Sequence, residues 1–99
     1  MREITSIDLH TLLQQQAVYL LDVREPLEHE DFNIGGELIP LGELISNVPT
    51  IPKDKPVIVY CKKGIRSQIA IQRLEEKFGF TNLVNLKGGI DAWKKHIFQ

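Results

Sequence analysis

Only one cysteine, Cys61, occurs in the 99 residues, so the chain can form no intrachain disulfide and holds no second thiol to resolve one. There is little excess charge either. Twelve Lys and Arg stand against 13 Asp and Glu, a net charge of −1 that offers nothing to nucleic acid or an anionic membrane. No apolar run approaches the roughly 20 residues of a membrane span. The opening Met1-Arg2-Glu3-Ile4-Thr5-Ser6-Ile7-Asp8 lacks the apolar core of a secretory leader. His10, His29 and His96 are scattered, without the paired spacing of a metal site. Repeats, linkers and low-complexity tracts are also missing. The expectation is one domain over 1–99, with no metal or cofactor and no nucleic-acid or membrane partner. Monomer is the default, and a reducing cytoplasm that keeps the thiol free is the natural setting.

What is present alternates. A Thr-x-x-Asp cap at Thr5 precedes a helical pattern through Leu13. Ala17 to Leu21 is a continuous apolar run, as in a strand buried on both faces. Pro26 is placed to open a short helix, which Gly35-Gly36 breaks. Leu38 to Leu41 reads as a brief strand, Gly42 to Ile45 as a helical turn and Val48 to Pro52 as a loop. Strand 57–60 leads into a helix whose Ile65, Ile69, Ala70, Leu74 and Phe78 recur on one face, closing at Gly79. Leu83 to Leu86 is a last strand, and Ile90 to Ile97 a final helix with Trp93 in the core. Strands alternating with helices imply an α/β fold, a parallel sheet with helices on both faces. Ligands of such sheets bind beyond the carboxyl ends of the strands. Cys61 and Asp22-Val23-Arg24 both lie at that edge.

A lone cysteine at a strand end is often a small inert hydrophobe. The neighbours of Cys61 argue otherwise. Pro56-Val57-Ile58-Val59-Tyr60 runs into it, and Lys62-Lys63-Gly64-Ile65-Arg66-Ser67 runs out into a helix. Inward N–H groups and a helix start favour an anion there, and a sulfur beside Lys62, Lys63 and Arg66 should ionise readily. Glu75-Glu76-Lys77 reads as a solvated helix face, and Gly88-Gly89 as room for the final helix to approach the sheet.

Taken together, these residues resemble a family. Leu21-Asp22-Val23-Arg24-Glu25-Pro26-x-Glu28 and Ile39-Pro40-Leu41-Gly42-Glu43-Leu44 come first, followed by Val59-Tyr60-Cys61-x-x-Gly64-x-Arg66-Ser67. Gly79-Phe80 and Leu86-x-Gly88-Gly89-x-x-Ala92-Trp93 complete the set. In this order, over about residues 18 to 95, the chain resembles a single-domain rhodanese, a sulfurtransferase with a central parallel five-stranded sheet. The resemblance implies that Cys61 carries sulfur as a persulfide and that the backbone of Lys62, Lys63, Gly64, Ile65, Arg66 and Ser67 cradles the outer sulfur. Arg66 and Lys62 would draw in an anionic donor such as thiosulfate. Asp22 and Arg24 would brace the loop and pair with Glu28. The acceptor would be cyanide, a thiol or a sulfur-carrier protein. Where many relatives have Gly-His-Ile-Pro-Gly-Ala, this chain has Phe32-Asn33-Ile34-Gly35-Gly36-Glu37, a change expected to bear on access to the site.

Two other functions stand beside sulfur transfer. One is a non-catalytic binding or sulfur-relay module; the other is a phosphate or arsenate enzyme. The resemblance implies five residues between cysteine and arginine in phosphate-handling relatives, and Cys61 and Arg66 have four between them. A smaller ring of amides suits a terminal sulfur better than a tetrahedral phosphoryl group.

Overall fold

The computed structural model describes residues 1–98. The strands are β1 (Glu3–Ile4), β2 (Tyr19–Asp22), β3 (Glu37–Leu38), β4 (Val57–Tyr60) and β5 (Leu83–Leu86); the helices are α1 (Ser6–Gln15), α2 (Pro26–Asp31), α3 (Ile65–Phe78) and α4 (Gly89–His96). All pairings are parallel, in one sheet of order β1-β5-β4-β2-β3. Parallel neighbours need crossover connections, and the helices that supply them cover both faces.

The central strand shows how residue alternation makes two cores. Val57, Val59 and Cys61 of and just after β4 point to one face, where Ala70, Ile71 and Leu74 of α3 cover them. Ile58 and Tyr60 point to the other, against Leu9 of α1 and Ile90 and Trp93 of α4. The thiol therefore emerges on the α3 side at the carboxyl edge of the sheet. The capping residue Thr5 starts α1 as its motif implies, its Oγ1 accepting the Asp8 N–H at 3.1 Å.

Several boundaries differ from those expected. The edge strand β1 was not anticipated, because two residues carry no periodicity; it exists through its pairing with Asn85 and Leu86. The brief strand expected over Leu38 to Leu41 is Glu37–Leu38. Pro40 has no N–H to continue a ladder, and Leu41–Glu43 turns into a 3₁₀ helix. A second 3₁₀ stretch, Ile45–Thr50, takes up much of the expected loop. The apolar face assigned to α3 is rotated. Ile65 and Ile69 are exposed, whereas Ser67, Ala70, Ile71 and Leu74 are buried. The turn of the helix is set by Ser67 facing Cys61, a polar contact that hydrophobic spacing does not encode.

The Gly35-Gly36 departure has a packing reason. A methyl at Gly36 would lie 2.8 Å from both Cε2 and Oη of Tyr60 and 3.1 Å from the Leu20 carbonyl oxygen. Burial, followed by the negative charge of Asp22, pushes the Tyr60 phenol up to about 12, so it stays neutral. The altered segment thus makes room for a phenol on the face of the sheet opposite the thiol. Gly36→Ala should overpack this site and cost about 1–3 kcal/mol. Gly42→Ala, with nothing within 4 Å of the added methyl, should stay within about 0.5 kcal/mol of wild type. Urea unfolding of the two variants checks the contrast; equal midpoints would mean that Tyr60 gives way freely.

Candidate active site

The Cys61 side chain lies on the floor of a cavity of about 150 Å³ lined by Cys61, Lys62, Lys63, Ile65 and Arg66. The residue is 1% exposed. Its Sγ accepts the Gly64 N–H at 3.1 Å and the Ser67 N–H at 3.4 Å, and Ser67 Oγ lies 3.4 Å away. These donors converge because Gly64 takes φ +90°, a left-handed conformation natural to glycine, and turns the chain into α3. Burial pushes the thiol up, but hydrogen bonding with Ser67 and the N–H groups of Gly64 and Lys63 outweighs it. The net direction is down, towards the thiolate.

A loop with its N–H groups turned inward has carbonyls left facing out. Here α4 satisfies them. The Ile90 N–H donates to the Cys61 carbonyl and the Asp91 N–H to the Lys62 carbonyl, each at 2.9 Å. Gly88-Gly89 therefore brings the helix against the cysteine loop itself. A methyl at Gly89 would come within 2.6 Å of the Lys62 carbonyl carbon and oxygen, and the φ of +60° adds strain to any larger residue.

The cations around the cup are engaged unequally. Arg66 holds Glu28 through two parallel hydrogen bonds of 2.7 and 2.8 Å, the fork geometry of guanidinium on carboxylate. Lys62 Nζ reaches Asp91 at 2.9 Å. Among the described residues, Lys63 alone of the three has no carboxylate partner. This corrects two expectations. Glu28 pairs with Arg66 across the mouth rather than with Arg24, and the strongest pulls on the sulfur are hydrogen bonds rather than neighbouring cations.

Asp22 and Arg24 form a buried brace behind the cup. Asp22 Oδ1 accepts the Arg24 backbone N–H at 3.0 Å and Nε–H at 2.9 Å, and Oδ2 accepts from Nη2 at 2.8 Å. Burial raises the Asp22 carboxyl, but hydrogen bonds from Arg24 and His29 hold it below the usual carboxylate range. Arg24 Nη2 also donates to the Phe32 carbonyl at 2.6 Å, tying the end of α2 to β2. His29 Nδ1 lies 2.8 Å from Asp22 Oδ2, so a histidine that looked unplaced in sequence belongs to this brace.

Sequence reasoning also passed over Asn85. It is fully buried on β5. Its Oδ1 accepts the Ser67 hydroxyl at 2.5 Å, and its Nδ2 lies 3.4 Å from the Gly64 carbonyl. The available signal was a polar residue inside Leu83-Val84-Asn85-Leu86, an otherwise apolar strand. No group of three or more His, Cys, Asp and Glu able to hold a metal occurs among the described residues. Nor is any described helix long and apolar enough to cross a membrane.

Residues 5–96 match the rhodanese-like domain family. The chain belongs to that family. Among rhodanese-like relatives, the thiosulfate sulfurtransferase GlpE of Coxiella burnetii is 32% identical over 96 residues, covering 96% of this chain and 89% of the relative. The probable adenylyltransferase/sulfurtransferase MoeZ of Mycobacterium tuberculosis is 40% identical over 81 residues. That match covers 79% of this chain and 20% of MoeZ, so the chain spans about a fifth of that relative. The crystal structure of a rhodanese-related protein from Thermoplasma volcanium superposes with a TM-score of 0.85 at 34% identity, covering 96% of this chain and 92% of that one.

The Arg66–Glu28 pair makes stability depend on acid. Hydrogen bonding from Arg66 lowers Glu28 from 4.5 to about 2. A depressed folded-state value contributes stability that is present above the unfolded value and lost as pH falls through the folded one. The pair is part-exposed, so after screening its contribution should be about 1 kcal/mol. The stability difference between wild type and Glu28→Gln, from urea unfolding, should be constant near neutrality and vanish as pH falls from 4.5 towards about 2. A difference independent of pH across that window would show that the charge of Glu28 contributes nothing.

Proposed function

We propose that this rhodanese-like domain is a sulfurtransferase that carries sulfane sulfur as a Cys61 persulfide. The observation that carries the reading is a buried sulfur ringed by N–H donors under a small cup with a cationic mouth. With thiosulfate as donor, the Cys61 thiolate attacks the outer sulfur. A new S–S bond forms, and the old one breaks with its electron pair leaving on sulfite. The negative charge then rests on the outer sulfur of the persulfide, within reach of the inward N–H groups. A thiophilic acceptor (cyanide, a thiol or a sulfur-carrier protein) takes that sulfur and returns the thiolate. The sulfurtransferase names of GlpE and MoeZ support the reaction class. The four-residue spacing from Cys61 to Arg66 favours a single sulfur over a phosphoryl group.

Intact mass after thiosulfate treatment and desalting tests the reading. The protein should gain one sulfur, lose it on reduction and transfer it to cyanide, and Cys61→Ser should do none of these. Transfer at the wild-type rate by folded Cys61→Ser would falsify the mechanism.

The cations should separate kinetically. Lys63, exposed and without a carboxylate partner among the described residues, acts as a steering charge, so Lys63→Ala should raise KM for thiosulfate several-fold, more at low ionic strength, with kcat little changed. Arg66 is held over the cup by Glu28, so Arg66→Ala should lower kcat as well as raise KM. Thermal unfolding measured alongside separates loss of the ion pair from loss of chemistry. A folded Arg66→Ala protein with wild-type kinetics would remove the arginine from the reaction.

A further inference from the structure

Asn85 is a fully buried amide outside the cysteine loop, yet it touches two of the residues that donate to the sulfur, Gly64 and Ser67. The direction of the amide follows from chemistry. Nδ2 lies 3.4 Å from the Gly64 carbonyl and 3.3 Å from Glu3 Oε2 on β1, the strand paired with β5. A carbonyl and an ionised carboxylate only accept, so the end facing them must carry the N–H groups. The oxygen is therefore the end that faces Ser67, and Ser67 must give it a proton. Among the described residues, Oδ1 has no other donor. A hydroxyl has a single proton, and Ser67 Oγ faces two atoms that could accept it, Asn85 Oδ1 and Cys61 Sγ.

We infer that Asn85 is a positioning residue for the sulfur chemistry: by holding the Ser67 hydroxyl proton, it turns a lone pair of that oxygen towards Cys61 Sγ. The thiol form fits this arrangement, with S–H donating to Ser67 Oγ while the hydroxyl donates to Asn85. In the thiolate form the sulfur draws on the backbone N–H groups of Gly64 and Ser67. Swinging the hydroxyl round to help would strand a buried amide oxygen, a costly exchange. The sulfur is thus held back from the most stabilised thiolate the cup could make. That preserves nucleophilic strength, since nucleophilicity falls as a thiolate becomes less basic. It also leaves the backbone N–H ring as the natural seat for charge on an outer sulfur. This last point rests on the persulfide reading above; the placement of the proton does not.

The charged groups around Cys61 are Lys62, Lys63 and Arg66 on the loop and the start of α3. Glu28 comes from α2 through Arg66, Asp91 from α4 through Lys62, and Glu3 from β1 through Asn85. All of them remain in the variants below.

The test is ultraviolet thiolate absorbance of Cys61 against pH in the whole chain, which requires no sulfur donor or acceptor. A failure here is therefore distinct from a failure of sulfur loading. Asn85→Leu, branched at the same carbon as asparagine but without an acceptor, should free the hydroxyl for the sulfur and lower the inflection by about one pH unit. Ser67→Ala keeps the backbone donor, so it should leave the inflection in place or lower it slightly. Asn85→Leu combined with Ser67→Ala should lose the drop seen in Asn85→Leu alone. A rise in Ser67→Ala would show that the hydroxyl already serves the sulfur and would overturn the inference, as would an unchanged or higher inflection in folded Asn85→Leu. If Asn85→Leu fails to fold, the direction of the Ser67→Ala shift decides alone.

Discussion

The structure depends on how the Cys61 loop disposes of its backbone. A chain that turns its N–H groups inward around a sulfur must find partners elsewhere for its outward carbonyls, because an unpaired buried carbonyl costs about as much as a lost hydrogen bond. The first turn of α4 answers that need through the Ile90 and Asp91 N–H groups. This explains why two consecutive glycines, Gly88 at the cap and Gly89 as the first residue, open α4: the helix must lie against the loop backbone, closer than any side chain permits at Gly89. The donor ring and the final helix form one device. It is built from segments nearly thirty residues apart.

The electrostatics of the site follow from what each cation must do besides meet an anion. Arg66 is fixed by Glu28, whose Oε1 also accepts the Glu25 N–H at the start of α2, so the mouth of the cup is tied to the end of β2. Lys62 is drawn aside to Asp91, at the same helix start that caps the loop. These pairs hold the walls in place, and each removes part of the positive field. Sulfur ionisation is consequently governed by short-range hydrogen bonds, which salt screens far less than exposed charge. Lys63 is left to carry the long-range attraction.

Behind the cup, Asp22 and Arg24 illustrate a buried charge pair retained with its hydrogen bonds satisfied. Asp22 accepts from Arg24 three times and has His29 beside it, while Arg24 also ties down the Phe32 carbonyl. A buried pair of this kind adds little net stability compared with apolar packing, but it is costly to break. Its effect here is to fix β2, α2 and the segment beyond them in one arrangement, which places Glu28 where Arg66 can reach it.

The alternating pattern made the parallel sheet with helices on both faces legible in the sequence, because hydrophobic periodicity is a local property of each segment. The Cys61 loop stood out as well, since an apolar strand ending in Cys61-Lys62-Lys63-Gly64 is a local motif. Local pattern did not reveal β1, which exists through its pairing with β5, or the rotation of α3 set by Ser67. It could not tell which carboxylate Arg66 would find, why Gly36 must be small beneath Tyr60, or that Asn85 would reach the donor ring from another strand. Those are contacts between residues distant in the chain. The sequence by itself determined the elements and the nucleophile, because propensity, periodicity and side-chain chemistry act over a few residues. Tertiary structure alone decided the partners of that nucleophile's neighbours, because a hydrogen bond or ion pair is chosen by position in space.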